Sequence, residues 1–523
     1  MKVVTAAAMR ELDRRTIEEH GTPGALLMER AATGVAREVL SLVRGSKLSF
    51  PAVLCIAGRG NNGGDACAAA RLLHERGVSV SLWLAGRASD LQGDAAVHFR
   101  RMQAAGVVCR ELPDAEQWRQ VADEPLLADI VVDGVLGTGA TGAPRGTAEA
   151  AIAFIRMAAH RALILAVDIP SGLDADTGIA AGVAVQADVT VTFGLPKSGL
   201  LQQGALDYVG SVKVTDIGIP DAYVAELADE SDVEFLDAVD VRALLPRRPR
   251  QSHKGDYGRV LLVGGAAGYS GAMSLAAAAA LRGGAGLVHV LVPRSLVPVV
   301  AAAVPSAMVQ GGIETNTGEL SSDVWADMRR TLDQFQAVLI GPGLTRGGDA
   351  LVLVKQILRE CRCPLVLDAD AITVLQGQPD AISHAACPVV MTPHPGEFAQ
   401  LFEQDTEAVQ ADRAGMALAA AKLTGATVAL KGAGTVVVQR DRLPTVSMAG
   451  NPGMAAGGSG DVLAGLIVAL LGQGLDSWAA TCAGVYLHGR AGDLAALRDT
   501  QACMDAALLI DFLAGAFREI HPR

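Results

Sequence analysis

Aromatic residues make up only 4% of the 523 residues and charged residues only 19%. A stacking platform for single-stranded nucleic acid is therefore not written into the composition, and neither is a disordered polyelectrolyte. Positive charge is in deficit, with 44 Lys and Arg against 56 Asp and Glu and a formal charge of −12. No overall field would hold a nucleic-acid backbone or an anionic bilayer, so anionic ligands must be met by local devices. The eight cysteines include no Cys-x-x-Cys pair. The nearest two, Cys361 and Cys363, flank one Arg in a pattern that matches no zinc or redox motif. They are expected to be reduced and mostly buried. Glu11, Asp13, Arg14, Arg15, Glu18 and Glu19 stand where a signal peptide needs an apolar core, and the apolar run 462–472 is too short to span a bilayer. A soluble cytoplasmic enzyme is expected, with no nucleic-acid and no membrane partner.

What the sequence does have is Gly, Ala and Val: half the residues are hydrophobic and 59 are Gly. Short β-branched runs at 52–57, 78–84, 129–132, 162–167 and 188–192 alternate with Ala/Leu-rich helical patterns, the βαβ signature of open parallel sheets. The rhythm fades over 219–251, through an acidic stretch at 226–234 and a Pro/Arg-rich seam at 245–250. It restarts with strands at 259–263, 286–292, 337–340, 365–368, 389–392, 427–431 and 435–439. Two α/β domains are predicted, 1–220 and 251–523, with 221–250 as linker.

In the first half, Asn61-Asn62-Gly63-Gly64-Asp65 follows the strand at 52–57 and precedes a helical pattern. Glycines permit positive φ and close backbone approach, and a helix start offers free N–H groups to an anion. Lacking Gly-Lys-Ser/Thr, the run is no P-loop, and it is not the dinucleotide Gly-x-Gly-x-x-Gly either. Two further Gly/Asp-rich strand ends, at 132–143 and 166–172, should emerge at the same carboxyl edge, where ligands bind. Oxygen donors Asn62, Asp133 and Ser171 suit a weakly hydrated cation, leaving Asp168 to act on a substrate.

These three segments resemble the N-terminal domain of the YjeF family, the NAD(P)HX epimerases, over about residues 1–220. The resemblance implies a Rossmann-like three-layer αβα fold. It implies that Asn61 to Asp65 and Gly137-Thr138-Gly139-Ala140-Thr141-Gly142-Ala143 contact the hydrated nucleotide, with Asp168, and that Asn62, Asp133 and Ser171 ligate potassium. Ala66 stands where the family commonly has Gly. Asp168 is the candidate acid or base for inversion at the hydroxyl-bearing carbon. Lys197 is a second candidate, though a surface or linker-docking lysine reads equally well.

In the second half, Asn451-Pro452-Gly453-Met454-Ala455-Ala456-Gly457-Gly458-Ser459-Gly460-Asp461 is a glycine-rich loop running into an apolar helix with a carboxylate at its mouth. Loop and helix donors can stabilise charge on a transferring phosphoryl group while Asp461 takes a proton from the attacking hydroxyl. Lys431-Gly432-Ala433-Gly434-Thr435 forms a hairpin turn where a diphosphate or ribose can approach. Gly343 ends another strand, and His394-Pro395-Gly396-Glu397 fixes a His and a Glu, although His394 also suits a turn cap. Asp368 and Asp370 read either as magnesium ligands or as helix caps. His488 and Cys482 read as core.

Together with the opening run at 253–265, these segments resemble the ribokinase-like fold of ADP-dependent NAD(P)H-hydrate dehydratases over about residues 240–523. By that resemblance 431–435 and 451–460 bind ADP, while Gly343, His394 to Glu397 and Asp461 bind the hydrate, with Mg2+ as cofactor. The chemistry implied is phosphorylation of the ring hydroxyl followed by elimination, because hydroxide leaves poorly and phosphate leaves well. The substrates implied are NADHX, NADPHX and ADP, and a homo-oligomer is expected. The rival reading is a small-molecule (vitamin-precursor) kinase with a non-catalytic nucleotide-binding N-terminal domain; another makes that domain a scaffold.

Overall fold

The computed structural model describes residues 1–45, 51–227 and 231–521, so residues 228–230 of the acidic stretch lie outside the described residues. The chain divides into two compact units, Met1–Phe235 and Leu236–Arg523.

The first unit is built on a sheet of β1 (Ala52–Ala57), β2 (Ser79–Leu84), β3 (Val108–Glu111), β4 (Ile130–Gly134), β5 (Leu163–Val167), β6 (Val189–Phe193) and β7 (Ser211–Thr215). Its order is β3-β2-β1-β4-β5-β6-β7 and every pairing is parallel. The chain runs outward from β1 to β3 and then returns to β4, so the topological switch lies between β1 and β4. A crevice opens there at the carboxyl ends. Central strands are buried along almost their whole length, which is why they read as continuous apolar runs rather than alternating ones. On one face Trp83, Trp118 and Phe154 stack with ring centroids 5.1–6.0 Å apart.

The second unit carries β8 (Arg259–Val263), β9 (Leu287–Pro293), β10 (Met308–Gly312), β11 (Ala337–Ile340), β12 (Leu365–Leu367), β13 (Val389–Met391), β14 (Thr427–Leu430), β15 (Thr435–Val438) and β16 (Thr445–Ser447). They lie in the order β10-β9-β8-β11-β12-β13-β14-β15-β16. Pairing is parallel as far as β14 and antiparallel beyond it. The switch falls between β8 and β11, where Gly265 N–H donates to the Pro342 carbonyl at 2.9 Å. The helix Ser459–Gly472 is apolar all round and buried over nearly its full length, as a helix enclosed on every side should be. Each fully buried Leu, Ile or Val on it contributes about 1.5–3 kcal/mol, which fixes the position of its first turn.

The α/β architecture expected of each half is present. Within the stretch where the strand-helix rhythm fades there is a short helix, Ala238–Leu244, opened by a capping box of Asp237 and Asp240. Leu236, Val241 and Leu245 belong to the second unit's hydrophobic core. Strands that the sequence reading did not place, β3, β7, β10 and β16 among them, lie at or next to the margins of the two sheets. β3 and β10 are largely exposed, so the two-sided burial that marks the central strands is missing from their sequences.

Candidate active sites

In the first unit the helix Asn61–His74 begins at Asn61, so Asn61 to Asp65 form its opening turn. The sequence places Asn61 to Asp65 before the helix rather than in it because Asn and Gly have low helix propensity. The glycines here do not serve a left-handed backbone. A Cβ on Gly63 would meet the Gly58 carbonyl oxygen at 1.9 Å, and one on Gly58 would meet the Val135 carbonyl oxygen at 1.9 Å. Close backbone approach across the crevice is what requires them.

Asn62, Asp133 and Ser171 come together. Asn62 Nδ2 donates to the Leu136 carbonyl at 2.8 Å, and Ser171 Oγ lies 3.1 Å from that oxygen. Asp133 accepts from Ser171 Oγ at 2.6 Å, from Ser171 N–H at 2.8 Å and from Val135 N–H at 3.2 Å. Burial pushes its carboxyl up to about 6, against the pull of those bonds. The group is an all-oxygen set around a buried carboxylate, the donor chemistry that a hard, weakly hydrated cation prefers. Gly137 packs on Asn62, whereas Gly139, Ala140, Thr141, Gly142 and Ala143 form an exposed loop, with Thr138 half-buried at its start.

Asp168 follows β5 with φ 63°, an uncommon value for a non-glycine residue. Its Oδ1 accepts from Lys197 Nζ at 2.5 Å, Thr192 Oγ1 at 3.0 Å and Phe193 N–H at 3.3 Å. Lys197 is 1% exposed and also donates to Thr192 Oγ1 and the Phe193 carbonyl. It is neither a surface nor a linker-docking lysine. Two further carboxyls feel this pair. Asp65 is held well above its usual range, first by burial and then by the charge of Asp168. Asp13 is pushed to about 6, mainly by burial, and its Oδ1 is buried without a hydrogen-bond partner. Asp13 carried no site motif in the sequence; only the packing of the N-terminal helix Ala6–Glu18 brings it in.

In the second unit four strand ends and one helix contribute. Asp368, after β12, is 1% exposed and accepts from Lys431 Nζ at 3.0 Å and Thr392 Oγ1 at 2.7 Å. Lys431 Nζ lies 3.7 Å from Glu397 Oε2. Lys431 is thus tied to two carboxylates at the root of its hairpin. Asp461 lies in the first turn of the helix Ser459–Gly472, whose N-cap Gly458 has φ 90°. Burial lifts the Asp461 carboxyl to about 7, with help from the negative charge of Asp368 and against the attraction of Lys431. A Cβ on Gly460 would stand 3.2 Å from Lys431 Nζ, which brings the hairpin and the helix mouth together.

His394 caps the helix Pro395–Phe402: its Nδ1 accepts from Gly396 N–H at 3.0 Å and Glu397 N–H at 3.2 Å, while Glu397 Oε2 accepts from His394 N–H at 2.8 Å. His394 Nε2 lies 3.5 Å from Glu397 Oε1, and the ring is 58% exposed. The cap and a ligand contact are compatible. Gly343 has φ 64°, and a Cβ there would meet the Tyr269 carbonyl oxygen at 2.9 Å. Asp370 opens the short helix Asp370–Thr373, accepts from Thr345 N–H at 3.0 Å and lies 3.5 Å from Arg346 Nε. Asp368 Oδ1 and the two Asp370 oxygens thus face different protein partners. No cluster of three or more His, Cys, Asp or Glu side chains arranged to hold a metal occurs among the described residues.

The nucleotide-type loops are shaped from behind. Asn451 Oδ1 accepts from Gly453 N–H at 3.1 Å and its Nδ2 reaches Asp493 at 3.4 Å, opening the turn Pro452–Met454. Met454, Ala455, Ala456 and Gly457 carry the chain on to Gly458, Ser459 and Gly460. His488, expected in the core, is buried but sits 3.3 Å from Ser459 Oγ. Gly432, Ala433, Gly434 and Thr435 close the turn from β14 to β15 in the register Leu430 to Val436. Under it lies Arg413, 7% exposed, which donates to the carbonyls of Leu430 (2.8 Å) and Ala433. Burial lowers its pKa to about 10. Sequence reading passed over Arg413 because a lone Arg near a helix start looks like any solvated charge.

Residues 24–199 match the sequence model of the YjeF-related protein N-terminus, and residues 260–514 match that of NAD(P)H-hydrate dehydratase. A bifunctional NAD(P)H-hydrate repair enzyme of Moorella thermoacetica is 42% identical over 99% of this chain and 97% of that protein. One from Thermofilum pendens is 37% identical over the same shares of the two chains. A solved ADP/ATP-dependent NAD(P)H-hydrate dehydratase of Bacillus subtilis, co-crystallised with ATP and Mg2+, is 30% identical and covers 55% of this chain and 99% of its own, with a TM-score of 0.49. With full-length relatives at this identity and both halves matched in order, the chain belongs to the family of bifunctional NAD(P)H-hydrate repair enzymes.

Proposed function

We propose that the N-terminal unit interconverts the two epimers of hydrated NADH and NADPH, and that the C-terminal unit dehydrates one of them back to NAD(P)H with ADP as phosphoryl donor. The observation that carries the reading is Asp461: a buried carboxyl lifted to about 7, in the first turn of a helix whose loop offers free main-chain amides. A base of that pKa is half ionised near neutral pH, which suits it to take a proton from a hydroxyl. As the hydroxyl oxygen of the hydrate attacks the β-phosphorus of ADP, its proton passes to Asp461 and the P–O bond to AMP breaks. Amides at the helix start stabilise the charge spread over the phosphoryl oxygens. Elimination of phosphate with a neighbouring ring proton then restores the double bond. The dehydratase residues in this reading are Gly343, His394 to Glu397 and Asp461 for the hydrate, with 431–435 and 451–460 for ADP. Mg2+ enters as counter-ion of the nucleotide phosphates.

In the N-terminal unit Asn61 to Asp65, 137–143 and Asp168 contact the hydrate. Asp168, paired with Lys197, and Asp65, whose carboxyl burial holds well above its usual range, supply a base and an acid on one crevice. Potassium, when bound by Asn62, Asp133 and Ser171, supplies positive charge beside a carboxylate that burial alone disfavours. The boundaries proposed are 1–220 for the epimerase and 251–523 for the dehydratase. Eight thiols left free support residence in the cytoplasm, and a closed homo-oligomer is the assembly expected of such an enzyme.

The test is incubation of the purified chain with mixed-epimer NADH hydrate and ADP while dihydronicotinamide absorbance is followed. Recovery of the whole hydrate, faster than spontaneous epimerisation, is the expected result. Recovery that stops at one epimer removes the first activity. A phosphorylated product that accumulates and persists, with no gain in absorbance, replaces the second activity with that of a kinase.

A further inference from the structure

Three of the eight cysteines, far apart in the numbering, meet at one place away from both candidate sites. Cys361 ends the helix Gly348–Glu360, Cys363 stands two residues before β12, and Cys387 stands two residues before β13. β12 and β13 are parallel and paired from Leu365 with Val389, so Cys363 and Cys387 occupy equivalent positions on neighbouring strands, whose spacing is about 4.8 Å. An Ala386 N–H to Leu358 carbonyl bond of 2.8 Å ties their two segments together. Cys361 Sγ lies 3.6 Å from Cys363 Sγ, and the Cys387 thiol acts on it electrostatically. The cluster is at the amino ends of the strands, whereas Asp368 and Thr392 follow their carboxyl ends.

Exposure divides the three thiols. Cys361 is fully buried, while Cys363 and Cys387 are partly open to solvent. A small oxidant can therefore reach either of the outer two, and the inner thiol is in contact with Cys363. The two neighbouring thiols, Cys363 foremost, favour the Cys361 thiolate and outweigh burial, while Cys361 and burial hold both outer thiols up, so an outer thiol hands its proton to Cys361 as it attacks a disulfide.

We propose that Cys361, Cys363 and Cys387 form a thiol–disulfide exchange site for low-molecular-weight disulfides, in which Cys361 resolves the mixed disulfide formed on Cys363 or Cys387. In the first step the outer thiol passes its proton to the Cys361 thiolate and attacks one sulfur of the small disulfide; an S–S bond forms to the protein, the original S–S bond breaks, and one small thiolate leaves. In the second, Cys361 attacks the protein-side sulfur and releases the second small thiol. Two protein thiols are oxidised by two electrons to a protein disulfide, and one small disulfide is reduced to two thiols. Cys503 is the internal control: it is exposed, and no thiol partner is recorded for it among the described residues, so it can form the mixed disulfide but has no neighbour to resolve it.

The full chain is treated with oxidised glutathione, alkylated, digested without reduction and read by mass spectrometry. Expected are a cross-link from Cys361 to Cys363 or Cys387, no lasting glutathione on those two, and persistent glutathione on Cys503. In Cys361→Ser the cross-link disappears and glutathione accumulates on Cys363 or Cys387, to at least the occupancy of Cys503. Cys387→Ser, a change at a partly exposed position, retains only the link to Cys363. A wild-type digest with no cross-link within the triad overturns the proposal. So does persistent glutathione on Cys363 or Cys387 at the Cys503 level, or a native mass spectrum in which the three thiols hold zinc and resist exchange.

Discussion

The two candidate sites are built alike and then diverge at one bond. Each lies at the carboxyl edge of a largely parallel sheet and pairs a strand-end aspartate with a lysine from a later strand's loop, buried in the first and half-buried in the second: Asp168 with Lys197 at 2.5 Å, and Asp368 with Lys431 at 3.0 Å. Each also holds at least one further carboxyl whose pKa burial has raised, Asp65 and Asp13 in the first and Asp461 in the second. In the N-terminal unit the lysine is bound to the carboxylate that faces the crevice. In the C-terminal unit it is bound to a neighbour, and among the described residues the carboxyl at the helix mouth has no hydrogen-bond partner, only the field of the cluster. The first arrangement fixes a charge in place; the second leaves a proton acceptor poised near neutrality. Reversible proton transfer at a carbon and a single proton removal during phosphoryl transfer ask for those two different things.

The sharpest way to break the parallel is Asp461→Asn, expected to lower ADP-dependent recovery of the hydrate by about 10²- to 10⁴-fold while epimer exchange, followed by chromatography, continues. Because the free carboxylate is the active form, the wild-type dehydration rate should fall as pH drops through about 7. Asp368→Asn removes a like charge and should move that limb to lower pH.

Next in size is the N-terminal counterpart. Asp168→Ala should slow epimer exchange by about 10²-fold, and Lys197→Met should do comparable harm by leaving a carboxylate without its cation. Neither should alter the rate on the epimer that the second site uses directly. An equal loss on both epimers would sink the division of labour.

A smaller effect separates binding from chemistry. Arg413→Ala leaves the carbonyls of Leu430 and Ala433 without their donor, at about 1–3 kcal/mol for each group if buried. Initial rates should show the KM for ADP rising by about tenfold with kcat little changed, and Arg413→Lys, which lacks the fork, should recover only part of it.

The smallest effect concerns the cation. Asp133 has a raised pKa in the folded state, about 6 against 3.8, so its contribution to stability is complete below pH 3.8 and is lost as pH rises through 6. A cation on that carboxylate offsets the loss only where the group is ionised. Potassium should therefore raise the melting temperature at neutral pH by about 2–4 °C and leave it unchanged below pH 3.8, and Asp133→Asn should remove the response.

Sequence by itself determined the layers and the chemistry on offer. Runs of β-branched residues buried on both faces marked the central strands to within a residue or two, and unusual residue combinations such as Asn61-Asn62-Gly63-Gly64-Asp65 marked where ligands would be met, because local composition reports burial and turn geometry directly. Margin strands such as β3 were not legible, since their faces are not enclosed. Nor were the helix start at Asn61, the burial of Lys197 or the places of Asp13 and Arg413, for these depend on groups far apart in the chain. Only the tertiary structure decided which lysine neutralises which carboxylate, and with it which carboxyl holds a proton, because electrostatic coupling falls off with distance in space and takes no account of separation along the chain.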